Sequence, residues 1–151
     1  MADAGYTKPS NQILVAGQPL VQILKVETAT NMYPGRLVKK GTTDGDIVVC
    51  GAGEAAIGWL GYLHTIKKYR PDTVDTIYEA NDHVAVLHGG GFVVVGRLAS
   101  GQNVSKGDRL TTAANGELSG GTVGTHEIVA IAEESVDASA AAKDIMVRSL
   151  I

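Results

Sequence analysis

The 151-residue sequence is sparing with several residue types: four prolines, one cysteine, one tryptophan, one phenylalanine, and only 5% aromatic residues in all. Cys50 has no second cysteine with which to form an intramolecular disulfide and no histidines at ligand spacing, so neither a disulfide framework nor a zinc site is expected. Long apolar runs are missing too; a stretch such as Phe92 to Val95 is far short of a membrane span. Residues 1–9 contain no apolar segment of the kind a secretion signal needs, so no leader is expected. A net charge of −3, from 16 acidic and 13 basic side chains, gives no overall electrostatic footprint for nucleic acid or an anionic membrane.

Glycine is abundant: 19 residues, in a chain that is 44% hydrophobic and 19% charged. That composition belongs to a folded protein with many tight turns, at a length that suits one domain. Residues 1–19 mix Asp, Gly, Thr, Lys, Pro, Ser, Asn and Gln around the short apolar patch Ile13-Leu14-Val15, and read as an extended N-terminal arm. Residues 20–151 read as one β domain. The run Leu20 to Glu27 ends in strict apolar and polar alternation, the period of a half-buried strand. Strands at 36–39, 46–50 and 56–62 are separated by Gly41, Thr43-Asp44-Gly45 and Gly51-Ala52-Gly53, which predicts a meander. Residues 83–87 and 92–98 flank Gly89-Gly90-Gly91, which predicts a glycine hairpin. Further strands are expected at 108–112, 127–133 and 144–150, with a brief helix at 138–142. Residues 64–75, basic and polar, read as an exposed insert. Short strands at such regular spacing argue for an all-β barrel or sandwich with little helix. The unit from 35 to 62 is echoed at 107–134: Arg36-Leu37-Val38 by Arg109-Leu110-Thr111, Asp44-Gly45 by Asn115-Gly116, and Ile57-Gly58 by Val129-Ala130. This echo is consistent with an internal duplication.

Three motifs imitate catalytic machinery. Residues 51–56 (Gly51-Ala52-Gly53-Glu54-Ala55-Ala56) follow a strand and satisfy the spacing of a dinucleotide-binding loop, so a nucleotide-binding enzyme is the alternative to weigh. That loop requires a helix whose N-terminal amides meet a pyrophosphate, and Gly58 and Gly61 interrupt the segment where it would lie. His88-Gly89-Gly90-Gly91 resembles an oxyanion loop but has no G-x-S-x-G nucleophile to serve. His83 and His88, five apart, would face opposite sides of one strand, which is poor geometry for a shared metal. No catalytic residue, cofactor or metal site is expected, and the chain reads as a structural protein rather than an enzyme.

The series Gly35-Arg36-Leu37-Val38-Lys39-Lys40-Gly41, Thr43-Asp44-Gly45-Asp46-Ile47 and Ala56-Ile57-Gly58-Trp59, with its echo and the closing run Ile145-Met146-Val147-Arg148-Ser149-Leu150, resembles the head decoration or cement proteins of tailed phages and related viruses. The resemblance covers residues 21–151. It implies a small β-barrel of the β-tulip or β-clip kind, commonly a homotrimer, on the outer surface of a virion whose proteins are made in the host cytoplasm. The partners it implies are further copies of the chain and the major capsid protein, with no membrane and no direct nucleic acid. The family's arm bridges capsid subunits, so Tyr6, Ile13, Leu14 and Val15 are the expected capsid contacts. A β-clip scaffold or ligand-binding module of a cellular protein is the remaining alternative.

Overall fold

A computed structural model describes residues 5–151, and 39% of the chain is strand against 2% helix. The strands are short: β1 (Leu14–Ala16), β2 (Leu20–Val26), β3 (Leu37–Lys40), β4 (Asp46–Val49), β5 (Gly58–Leu60) and β6 (His83–His88). They continue as β7 (Val93–Leu98), β8 (Gln102–Val104), β9 (Arg109–Thr112), β10 (Leu118–Gly120), β11 (Ala130–Ala132), β12 (Val136–Ala138) and β13 (Lys143–Ser149). The helix expected at 138–142 is absent, since Ala138 closes β12 and bends follow it.

The span 20–151, read from the sequence as one barrel domain, holds two closed rings. The first runs β2-β4-β3-β5-β6 and closes through β2 and β6. The second runs β7-β10-β9-β11-β13 and closes through β7 and β13, while β8 and β12 form a separate pair. Directions match strand for strand. β2–β4 and β7–β10 are the parallel pairs, and every other neighbour within a ring is antiparallel. Residues 35–62 contain β3, β4 and β5; residues 107–134 contain β9, β10 and β11.

Two expectations about connections are corrected. β3 lies between β4 and β5, so these strands do not form a meander in chain order. Gly89-Gly90-Gly91 does not close a hairpin, because β6 is already paired with β2 and β5 and belongs to the other ring from β7. The triglycine is instead the crossover between rings. Its amides are taken by the end of the chain, Gly90 N–H donating to Ile151 O and Gly91 N–H to Ser149 O, each at 2.9 Å.

Strands β3, β5 and β6 of the first ring send alternate side chains to two different cores. Val26, Val38, Ile47, Leu60, Val84 and Val86 fill the first ring with Met32 and Tyr78. Leu37, Trp59 and Leu87, their neighbours along the strands, point outward and join the core of the second ring with Val94, Leu98, Leu110, Leu118, Ile145 and Val147. This is why β5 and β6 read as near-continuous apolar runs: both of their faces are buried. Trp59 occupies the seam, fully buried, and its Nε1–H donates to Ser149 Oγ of β13 at 2.9 Å. Opposite it stands Gly96 of β7, where a Cβ would lie 3.0 Å from both the indole and Leu118. The rings also meet through backbone. Gly35 has φ +89°, and a Cβ there would stand 2.6 Å from Val95 O.

The long connection between β5 and β6 is anchored by Tyr78, whose hydroxyl donates to Gly61 O at 2.8 Å and lies 2.9 Å from Thr65 Oγ1. Thr65 Oγ1 in turn accepts from Ala85 N–H at 3.0 Å. Within the insert, Arg70 donates to the carbonyls of Leu63 and Thr65, and Tyr62 OH reaches Pro71 O and Asp72 O at 2.7 Å.

If the seam is a true core, Trp59→Ala lowers the unfolding free energy by about 3–5 kcal/mol in urea titrations followed by circular dichroism. Gly35→Ala, forced into a left-handed backbone against a carbonyl, costs about 1–3 kcal/mol. A loss below about 1 kcal/mol for Trp59→Ala, the size of an ordinary surface effect, would mean that the rings do not share a core.

Candidate functional site

The surfaces that stand out are two strand edges and a polar cleft. β13 takes one edge of β7 along its whole length. The other edge of β7 takes β10 at Leu98 and β1 at its opposite end, with Leu14 opposite Val94 and Ala16 opposite Val93. The ladder continues through Val95 N–H, which donates to Ile13 O at 2.9 Å. Val15 and Ala16 thereby cover Val93, Val95 and Met146.

This places the four expected contact residues. Ile13 is 3% exposed and packs into this chain's own core beside Gly35; Leu14 and Val15 are half-buried beneath or within the β1 ladder; Tyr6 is 37% exposed. The arm is further pinned by Lys8, whose Nζ lies 2.7 Å from Glu134 Oε2, and by Asn11, whose Oδ1 accepts from Val74 N–H at 2.9 Å. A cleft of about 600 Å³ lies between the arm and the ring junction, lined by Lys8, Asn31, Tyr33, Arg36, Arg97 and Asp144 among others. Its charges are largely answered from within. Arg97 pairs with Asp144 at 3.0 Å, and Arg36 donates to Asn115 O at 2.7 Å over the ring of Tyr33. These residues come from four separate stretches of chain, so no local motif marks them.

Residues 20–23 form the second edge. β2 is paired with β6 from Leu20 to Lys25, but with β4 only at Lys25 and Val26. Leu20, Val21 and Ile23 are all exposed, so apolar side chains project from both faces of this half-strand. Reading the run as a half-buried strand missed this. The available signal was Leu20 and Val21 side by side, which break the alternation that Lys25 to Glu27 obey.

The catalytic look-alikes resolve into structure. The loop at 51–56 leads into strand β5 rather than a helix, and Glu54 occupies the amide a phosphate would need, its Oε1 accepting from Gly51 N–H at 2.7 Å. Lys39 pairs with the same carboxylate and holds its pKa below the ordinary range. His83 lies against Tyr69, with ring centroids 5.4 Å apart. Among the described residues no group of three His, Cys, Asp or Glu side chains is placed to hold a metal ion. Glu133 and Glu134 serve different partners: Arg148 lies 3.8 Å from the first, while the second accepts from Met146 N–H at 2.7 Å.

Comparison with known proteins adds three findings. Residues 3–149 match the sequence profile of the family described as XM1 gp53 minor capsid protein. No curated protein sequence matches the chain. Among solved structures, the N base of the head fiber protein gp8.5 of bacteriophage phi29 superposes with a TM-score of 0.54 at 15% identity, over 87% of this chain and 94% of that one. That likeness is one of fold.

Two buried acids mark the alkaline limit of this architecture. Burial, with the Glu54 carboxylate adding to it, pushes the Cys50 thiol up from 9.0 to about 11; burial pushes Tyr78 up from 10.0 to about 12, against the hydrogen bond from Thr65. Both raised values favour the protonated form in the fold. Their contribution to stability is therefore complete below the unfolded value near 9 and is lost as pH rises through about 11 and then about 12. The melting midpoint is expected to fall over that window, and Cys50→Ala to remove the earlier part of the fall. A thiol reagent at pH 8 should leave Cys50 unmodified until the protein unfolds.

Proposed function

The chain belongs to the XM1 gp53 minor capsid protein family, and from that premise we propose that it decorates the outer surface of an assembled capsid and bridges neighbouring major capsid subunits. It is a structural protein of the virion. The observation that carries the finer reading is the exposed apolar edge at residues 20–23, a surface suited to protein contact, in a chain whose glycine loop at 51–56 is closed by its own Glu54 and whose triglycine amides are taken by its own backbone. Bridging fits the physics of a shell: a small protein that touches two subunits at once gains effective concentration from the first contact when making the second. A homotrimer would repeat such contacts about a shell symmetry axis.

Sedimentation tests this directly. Purified chain mixed with assembled, expanded shells should pellet with them, whereas chain mixed with free capsid subunits should stay in the supernatant. Light scattering of the chain alone should give the mass of three copies. A monomer that ignores shells would sink the proposal.

A further inference from the structure

The two rings present the same edge, and only one of the two is covered. Val26 and Leu98 are the last residues of β2 and β7, and each neighbours the parallel strand that ends the open edge: Ile47 of β4 in one ring, Leu118 of β10 in the other. Three and five residues before that point stand Ile23 and Val21 in β2, Val95 and Val93 in β7. In the second ring these valines lie under β1, at 8% and 3% exposure; in the first ring their apolar counterparts are bare, at 47% and 42%.

The backbone agrees with the side chains. Lys25 N–H crosses this edge to Gly45 O at 2.9 Å. By strand alternation the amides of Ile23 and Val21 point the same way. The equivalent amide in the second ring, that of Val95, is the one that bonds to Ile13 O. Ring one therefore has the hydrogen-bonding groups and the apolar floor for a strand like β1, and among the described residues no strand pairs with 20–23 along this edge.

Stoichiometry decides where that strand comes from. Each copy presents two such edges and one β1, and its β1 lies on its own second ring. A closed assembly of identical copies that keep this arm placement leaves one edge per copy without an arm. Symmetric pairing of β2 with β2 of another copy is confined to a few residues, because Pro19 has no amide and Lys25 already neighbours β4.

The geometry points to β2 as the acceptor of an extended apolar segment of the capsid shell protein, laid antiparallel along residues 20–23 as β1 is laid along β7. This rests on the decoration reading and gives that contact its mode: main-chain hydrogen bonds for affinity, and apolar side chains over Val21 and Ile23 for fit.

The test uses the full chain and assembled shells. Val21→Lys combined with Ile23→Lys places two charges on an already exposed edge, so the variant should melt like the wild type while its affinity for shells falls about tenfold or more. Val123→Lys, exposed on another loop, should bind as the wild type does. Hydrogen exchange at the Val21 and Ile23 amides should slow in the shell-bound chain and stay fast in the chain alone. A double-lysine variant that binds shells as the wild type does overturns the edge assignment alone. So does protection of those amides in concentrated chain without shells, since a second copy would then be the occupant. Wild-type chain that ignores shells overturns the decoration reading together with this one.

Discussion

Trp59 and the seam around it hold the two rings together. Five strands of three to seven residues enclose little volume, and neither ring covers its outer face by itself. The solution is mutual: Leu37, Trp59 and Leu87 leave the first ring and complete the second ring's core, and Gly96 and Gly35 keep the facing backbone close enough for contact. The indole N–H then finds its acceptor on β13, so the largest buried side chain brings no unsatisfied donor into the interior. Because the same strands serve both cores, loosening the seam weakens two enclosures at once.

The strand content and several of the glycine turns, though not the triglycine hairpin, were legible in the sequence because they depend on local chemistry. Asn115-Gly116 turns the chain with both residues at positive φ, and Asp46 to Val49 pairs back on Leu37 to Lys40. What was not legible was partnership. β5 and β6 are apolar on both faces, so they carry no period that tells an inner face from an outer one, and nothing local tells β6 and β7 to enter different rings. Ile13-Leu14-Val15 shows the same limit: an apolar triplet in a polar arm has one appearance whether it meets its own core or another protein's. Only the register against Val93 and Val94 reveals that it is already engaged within the chain. The edge at residues 20–23 is the converse case, a strand whose open side is defined by how little of it β4 reaches.

The enzyme-like loop and the polar cleft are both occupied by the chain's own groups. The glycine loop at 51–56 turns inward on Glu54, and the cleft beside the arm balances Arg97 with Asp144. Membership of a minor capsid protein family is consistent with a structural role in the virion.

The placement of β1 also has a consequence for how the chain is made. Its partner, β7, lies about eighty residues further along, and β7 is itself held by β13 near the end of the sequence. Contacts so distant in sequence form slowly, since a long loop must close before any of them is rewarded. Within this chain β1 is made well before the strand it pairs with, so it has no ladder to join until β7 has emerged. All five strands of the first ring are made before β7, so its backbone ladders have their partners while the arm still lacks one.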